Sequence, residues 1–334
     1  MNTRAVQGWQ HDELERVQEC GLCGATRFRG VYQGLVDVDE GVEGRWSMTE
    51  CEACGGLHLD PRPTNAAISR AYATYYTHAA PEAENAVLNQ ASRAARVARG
   101  YLSARYGLPG QDGYPSCIAR LAWPLRQQLD YYMRHLPGVP GRVLDIGCGN
   151  GGFLRRAQAC GWQVEGVEPD PLAAQVARHG QDYPVHSSIK GAAGKTFDVV
   201  TLSHVVEHLH EPRTLLRDAV ALLRPGGMLW IAVPNIAGAG HRIYRETWQA
   251  LEVPRHIVIP TARSLLLMAE EVGLDEARFR PRGRGAAKRF EVNERRRGSR
   301  SSPRRARVLS FLVDLAASVS PYMGEELVIT AVKP

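Results

Sequence analysis

Between Arg142 and about Arg282, apolar runs of strand length alternate with amphipathic stretches of helix length. The apolar runs are VLDIG, VEGVE, FDVVTLS and MLWIAVP, and a helix-length stretch separates each from the next. This alternation is typical of a parallel sheet wrapped by helices, because parallel strands need a long crossover connection. The pattern therefore predicts an α/β fold for this part of the chain.

The pattern changes on both sides of this region. Residues 17–62 carry short alternating runs that predict small strands, and residues 63–138 are helical in pattern. A helix candidate at 308–319 and a final strand at 326–332 close the chain. We therefore predict an N-terminal module (17–62), a helical bridge that covers the substrate (63–138) and an α/β domain (139–334).

The net charge of +6 is concentrated in one segment. From Arg278 to Arg307 there are thirteen Lys or Arg residues and two acids, a local net charge of +11 that leaves −5 for the rest. We interpret the Arg-rich segment 280–307 first as a mobile, solvated insertion before the last strand. A second interpretation is peripheral membrane contact through residues 280–319. Nucleic-acid binding is disfavoured, because Phe290 is the single aromatic residue between Arg280 and Arg307.

Cysteine use indicates the kind of compartment. The N-terminus has no apolar leader, and no apolar run approaches the ~18 residues of a spanning helix. Four of the seven cysteines form two C-x-x-C pairs, which in a reducing compartment indicate metal binding. The sequence therefore predicts a cytoplasmic protein.

A glycine loop follows the first strand of the α/β region. It satisfies G-x-G-x-x-G at Gly147, Gly149 and Gly152, with Glu168 about 20 residues on at the end of the next strand. Glycine lets backbone amides approach a cofactor, and the carboxylate is placed to accept hydrogen bonds from ribose hydroxyls. By itself this pattern fits a dinucleotide site equally well.

Three further motifs carry a resemblance. Asp145 gives the loop a D-x-G-x-G form, and FDVVTLSHVVEHL and LRPGGMLWIAVPN follow in order. Together they resemble class I S-adenosylmethionine-dependent methyltransferases, from about Gly141 to Leu274. The terminal GEELVITAVKP is similar to the antiparallel last strand of that family. The resemblance implies a Rossmann-like, mostly parallel sheet with an antiparallel last strand.

The same resemblance implies a cofactor, S-adenosylmethionine, and residues that bind it. Asp145 would meet the methionine end, Glu168 the ribose and Ser188 the adenine, while Ser203 and His204 would border the methyl group. The cofactor residues it implies are Asp145, Gly147, Gly149, Glu168, Ser188, Ser203 and His204.

The paired cysteines predict a zinc site. Cys20, Cys23, Cys51 and Cys54 form C-x₂-C-x₂₇-C-x₂-C, and a glycine follows each pair. Four thiolates complete a tetrahedral shell with no position for water, so the predicted Zn²⁺ is structural. The alternative, two redox-active dithiols, needs a thioredoxin-like context that the sequence lacks.

A zinc module before a methyltransferase domain resembles bacterial methyltransferases with an N-terminal zinc-binding domain, among them sugar C-methyltransferases and other saccharide and natural-product modifiers. This implies a small-molecule acceptor, with aromatic residues such as Tyr76 in the wall of the substrate pocket. Alternatively, Tyr76 packs on the core. The alternatives are an RNA or protein methyltransferase that uses the basic segment, or a cofactor-binding protein without turnover.

The segment after the fifth strand carries the catalytic candidate. Loops at this edge of a doubly wound sheet lie over the cofactor crevice, and the Pro-Arg-His element there resembles the family segment that faces the substrate. His256 is predicted as the general base and Arg255 as a substrate contact. Alternatively, His256 only ties the loop to the fold.

Overall fold

The structure is a computed structural model that describes residues 6–72, 92–109, 123–298 and 301–334. Within these residues the strands are β1 (Leu14–Glu15), β2 (Phe28–Leu35), β3 (Trp46–Cys51), β4 (Leu57–Leu59), β5 (Arg62–Pro63), β6 (Arg142–Ile146), β7 (Gln163–Val167), β8 (Val185–His186), β9 (Phe197–Ser203), β10 (Leu223–Pro234), β11 (Val258–Ile259), β12 (Asp275–Phe279) and β13 (Glu326–Val332). The helices are α1 (Arg93–Tyr106), α2 (Trp123–Tyr132), α3 (Gly152–Ala159), α4 (Pro171–Arg178), α5 (Pro212–Ala221), α6 (Ala239–Tyr244), α7 (Ala262–Glu271), α8 (Ala287–Arg296) and α9 (Pro303–Val319). Short 3₁₀ turns include Ile68–Tyr72, Val206–His208 and Gln249–Leu251.

The large sheet confirms the predicted α/β fold. In the described part of the chain it has seven strands in the order β12-β13-β10-β9-β6-β7-β8. Neighbours from β8 to β10 pair in parallel, whereas β13 pairs antiparallel with both β10 and β12. The last strand has the predicted bounds, 326–332, and the predicted direction. The carboxyl ends of β6, β7, β9 and β10 therefore meet at one edge, where a doubly wound sheet binds ligands.

A second sheet joins the N-terminal module to the α/β domain. Its order is β11-β4-β3-β2, and β11 pairs antiparallel with β4 through Val258↔His58 and Ile259↔Leu57. The cysteine pairs pack in the same apolar cluster as Val206 and Val258. Residues 17–62 are thus built into the domain by a strand that comes from two hundred residues further along the chain.

The Arg-rich segment corrects the interpretation of a solvated insertion. It lies before the last strand as expected, but α8 forms within it and buries Phe290 completely. Glu294, 1% exposed, pairs with Arg297 and Arg305 and accepts a hydrogen bond from the amide of Ser302 (2.9 Å). These contacts fix α8 against α9, which begins at residue 303 instead of 308. The segment is part of the fold because its apolar and acidic positions have buried partners.

Among the described residues, no helix is long and apolar enough to cross a membrane.

Candidate active site

The glycine loop connects β6 to α3 at the carboxyl edge of the sheet. The amides of Gly147 and Cys148 both donate to the carbonyl of Val167, at 2.8 and 3.1 Å, and this ties the loop to the end of β7. Gly147 has a φ of 69°, and a Cβ there would lie 2.5 Å from Cγ2 of Val205. Only glycine fits this position, because both its backbone conformation and the space exclude a side chain.

Glu168 lies beside this loop at the end of β7, as predicted. Its Oε2 accepts from the amide of Gly149 (2.8 Å) and its Oε1 accepts from the amide of Asp170 (3.0 Å). These bonds aim the carboxylate, and each oxygen retains a lone pair for a ligand hydroxyl. Burial raises the pKa of Glu168, although the two amide bonds oppose this. The arrangement fits a ribose diol.

Asp145 is fully buried under the loop. Its Oδ1 accepts from the hydroxyl of Thr201 (2.9 Å) and is ion-paired with Arg134, and burial raises its pKa although Arg134 opposes this. Its Oδ2 is buried without a hydrogen-bond partner among the described residues. A buried, unsatisfied carboxylate oxygen is costly, so this atom fits a site where a ligand donor completes the bonding.

The other predicted cofactor residues lie at the same edge. Ser188 follows β8 and is exposed, and Ser203 is the last residue of β9. His204, directly after β9, has a φ of 54°, which is uncommon for a residue other than glycine. These positions agree with a cofactor that lies across the ends of β6, β7, β8 and β9.

A cavity of about 610 Å³ opens next to His204. Its walls come from the ends of β9 and β10, the loop with His256, the Arg-rich segment and the start of β13. The titratable residues that line it are His204, His208, Glu252, His256, Arg282, Arg284, Lys288, Arg289, Glu325 and Glu326. The cavity is the candidate acceptor site because it adjoins the edge at which the cofactor residues meet.

His256 lies in this cavity wall and is 4% exposed. Its Nδ1 lies 2.8 Å from the carbonyl of Ala250, which makes Nδ1 the protonated nitrogen in the neutral ring. Nε2 therefore carries the lone pair, 3.4 Å from the carboxylate of Glu252. A proton taken up at Nε2 would lie beside that carboxylate, so the local geometry suits a base.

His204 is held between two carboxylates. Its Nδ1 lies 3.0 Å from Oε1 of Glu207, and its Nε2 lies 2.8 Å from Oε1 of Glu326. Burial opposes a charged ring, but Tyr131 and Glu207 raise the pKa of His204 above its ordinary value. Burial raises the pKa of Glu207, but its hydrogen bond and charge interaction with His204 lower that pKa to about 2. Both ring nitrogens of His204 are thus engaged by carboxylates.

His208 has a third role. Its Nδ1 lies 2.9 Å from the hydroxyl of Tyr72 and 3.1 Å from the carbonyl of Arg255, and its ring contacts that of His256 at 4.7 Å between centroids. Burial and the neighbouring His256 lower the pKa of His208 to about 4, so the ring is neutral. Glu207, His208 and His256 each place a polar side-chain atom within 4.8 Å of the others. His208 braces the loop that carries His256.

The structure corrects the predicted substrate contact at Arg255. Its side chain is 1% exposed and makes two hydrogen bonds to Asp37, at 2.8 and 3.0 Å, and a third to Glu252 at 3.1 Å. The guanidinium thus joins the loop that carries His256 to the N-terminal module, and Arg255 is not among the residues that line the cavity. The other predicted contact, Tyr76, falls outside the described residues.

The four predicted zinc ligands come together. Sγ atoms of Cys20 and Cys54 lie 3.6 Å apart and those of Cys23 and Cys51 lie 3.7 Å apart, all within 4.8 Å of one another. Four sulfurs ~2.3 Å from a tetrahedral Zn²⁺ would be separated by ~3.8 Å. The amides of Gly24 and Gly55 donate to Cys20 and Cys51 carbonyls (both 2.8 Å), closing a tight turn in each pair. The donor set and its spacing fit Zn²⁺.

Several site residues were missed from the sequence. Arg134, from the helical bridge, lies against Asp145 with its guanidinium 4.0 Å from the ring of Phe153. Tyr131 lies 3.5 Å from Nε2 of His204, and although burial raises the pKa of a phenol, Arg282 and His204 lower the pKa of Tyr131 to about 8. No motif marks either residue, because each acts on a partner from another part of the chain.

Comparison with known proteins matches the central part of the chain. Residues 122–276 match the family model described as a methyltransferase domain. The ubiquinone biosynthesis O-methyltransferase of Xanthomonas oryzae pv. oryzae is 39% identical over 118 residues, which cover 32% of this chain and 49% of that protein. The corresponding Xanthomonas campestris pv. campestris enzyme is 37% identical with the same coverage. The chain thus spans about half the length of the curated relatives it matches.

A solved structure of phospholethanolamine N-methyltransferase 2 from Haemonchus contortus aligns with a TM-score of 0.47 and 17% identity. That alignment covers 92% of this chain and 68% of the other.

Proposed function

We propose that this chain, whose residues 122–276 form a class I S-adenosylmethionine-dependent methyltransferase domain, methylates a small molecule. The observation that carries the proposal is the meeting of Glu168, the glycine loop and the 610 Å³ cavity at one edge of the sheet. An acceptor in the cavity would lie beside the cofactor. Its chemical class is a saccharide-linked or natural-product metabolite, as the zinc module and the family resemblance suggest.

The cofactor supplies a sulfonium methyl group. Glu168 would bind the ribose, and Asp145 with Arg134 would bind the ammonium and carboxylate of the methionine end, since they offer opposite charges under the loop. His204, fixed between Glu207 and Glu326, would border the methyl group. These residues orient the cofactor, and much of the rate enhancement comes from holding the acceptor atom in line with the methyl group.

His256 is proposed as the general base. Ala250 fixes its Nδ1, and Glu252 stabilises the ring after Nε2 has taken the acceptor proton. The overall activity is tested by the release of S-adenosylhomocysteine from S-adenosylmethionine in the small-molecule fraction of a cell extract. Turnover that disappears after RNase or protease treatment of the extract would contradict a small-molecule acceptor.

Glu168→Gln is expected to weaken S-adenosylhomocysteine binding by about tenfold or more. The amide retains one acceptor oxygen but loses the charge, and hydrogen bonds to ionised groups contribute roughly 1.5–3 kcal/mol each. Isothermal titration measures the affinity. The matched control is Glu165→Gln on β7, the strand that precedes Glu168; the Glu165 side chain pairs with His186 and Lys195 and not with the loop. Unchanged affinity in the Glu168 variant, or wild-type binding of NAD, would contradict the assignment.

Zn²⁺ at the four cysteines is proposed as a structural ion. It would offset two of the four thiolate charges, whose sulfurs lie close together, and would hold the two turns together. Because β4 follows the second turn directly and pairs with β11, the ion also supports the loop that ends at His256.

Peripheral membrane contact is proposed for the outer face of α9. Five large apolar side chains at helical spacing are exposed there: Val308 (60%), Phe311 (68%), Leu312 (53%), Leu315 (49%) and Val319 (74%). Arg304, Arg305 and Arg307 lie in the first turns of the same helix. Apolar residues on one face with adjacent arginines are typical of helices that lie in an anionic lipid surface.

The variant Phe311→Glu/Leu315→Glu is expected to abolish co-sedimentation with vesicles that contain phosphatidylserine. Two carboxylates on this face would be repelled by the anionic surface and would lose the apolar burial. The matched control is Val139→Glu, since Val139 is 80% exposed but lies in another part of the molecule. If the double variant instead converts a dimer to a monomer, while vesicle binding is unchanged, the face is a subunit interface and the membrane proposal is wrong.

A further inference from the structure

The cavity next to His256 has a basic wall. Four of its lining residues are cationic and come from one short segment: Arg282, Arg284, Lys288 and Arg289. They fall into two pairs that differ in exposure and in the partners they have.

The inner pair already has an ion-pair partner within the protein. Arg282 and Arg289 both form ion pairs with Glu326, which is 3% exposed at the start of β13. Burial lowers the pKa of Arg282 to about 10. The same carboxylate also binds His204, so both inner arginines are held by contacts within the protein.

The outer pair has no such partner among the described residues. Arg284 and Lys288 are exposed at the mouth of the cavity, and within the described ranges neither has an ion-pair or hydrogen-bond partner. Arg284 lies in the turn just before α8, and Lys288 is the second residue of that helix. The cavity wall also carries three carboxylates, Glu252, Glu325 and Glu326, but neither Arg284 nor Lys288 forms an ion pair with them. Both cations are therefore available to an anionic ligand.

The turn that presents Arg284 is fixed by the fold. Arg284 has a φ of 65°, a conformation that costs free energy for a residue with a side chain. Asp314 of α9 holds the turn by accepting from the amides of Gly285 (2.8 Å) and Ala286 (2.9 Å). The backbone is thus held in an unfavourable conformation that directs an arginine to the mouth.

We infer that the acceptor carries a phosphate group, which Arg284 and Lys288 bind at the mouth of the cavity. Two unpaired cations at the positive end of a ten-residue helix match a doubly charged anion. With the phosphate at the mouth, the methyl-accepting atom extends inward to His204 and His256. The identification of this ligand as the acceptor rests on the proposed function; the anion site itself does not.

The test is isothermal titration of the full, zinc-loaded chain with inorganic pyrophosphate and, separately, with dihexanoyl phosphatidic acid below its micellar concentration. Arg284→Gln/Lys288→Gln is expected to weaken the binding of whichever probe binds by at least about tenfold, because two charge-assisted contacts are lost. The matched control is Arg278→Gln, an exposed arginine on β12 paired with Glu276. It should bind like the wild type.

The two probes distinguish a soluble phosphate from a lipid headgroup, and the double variant tests whether the anion site exists. Binding of pyrophosphate indicates a water-soluble phosphate ester, and binding of the short-chain lipid alone indicates a lipid headgroup. If neither probe binds, or if the double variant binds as tightly as the wild type, the inference is wrong. Titration with S-adenosylhomocysteine is run in parallel, since its failure would overturn the proposed function while leaving the anion site to be judged by the probes.

Discussion

Replacing His256 with alanine is expected to lower turnover by about 10²–10⁴-fold, the usual contribution of a positioned general base. The affinity for S-adenosylhomocysteine should hardly change, because Glu168 and the glycine loop lie elsewhere along the sheet edge. The measurement is the rate of S-adenosylhomocysteine release in the small-molecule fraction of a cell extract, at several dilutions of that fraction.

The conservative variant His256→Asn distinguishes a general base from a purely structural histidine. In His256→Asn the amide nitrogen can still donate to the carbonyl of Ala250, but the side chain cannot accept a proton. If His256 is a general base, His256→Asn should be as inactive as His256→Ala. If His256 is purely structural, His256→Asn should have near-normal turnover. His241→Ala is the matched control, since His241 is also buried and bound to a backbone carbonyl, but does not line the cavity.

Removal of the zinc ion is expected to have an effect of similar size, at least about 10²-fold on turnover, because the base would lose its fixed position. Thr261 donates to the carbonyl of Cys54 (2.8 Å), and the amide of Leu59 donates to the carbonyl of Ile257 (3.0 Å). Disorder at the second cysteine pair would therefore reach the residue next to His256. Metal analysis should give about one zinc per chain in the wild type and none in Cys54→Ser.

Three controls make this prediction specific. Cys160→Ser removes a buried thiol outside the cluster and should retain both zinc and activity. Asp37→Asn should retain zinc but lower turnover, because it breaks the ion pair that joins Arg255 to the N-terminal module. S-adenosylhomocysteine should still bind Cys54→Ser, which shows that the sheet is folded. Intact disulfides without metal, or full activity after zinc loss, would contradict the prediction.

Much of the fold was predictable because its signals are local. Strand-length apolar runs separated by amphipathic helices defined the parallel sheet, and the terminal strand was found with its observed bounds. Gly147 was predictable because the backbone of the loop requires glycine there, and Glu168 was predictable because it follows the next strand. The cluster of four cysteines was also predictable, because each C-x-x-C pair forms a local tight turn and only the approach of the two turns had to be inferred.

The sequence by itself determined most strands of the large sheet, the glycine loop and the pairing of the cysteines in two tight turns, since periodicity and motifs report backbone conformation over a few residues. Only the tertiary structure decided which distant residues meet. Arg255 pairs with Asp37, 218 residues away, and so is withdrawn from the acceptor site. The Arg-rich segment lines the cavity because Glu326 and Asp314 hold it there. A charged side chain is compatible with solvent, a buried ion pair or a ligand, and only its folded neighbours determine which of these it has.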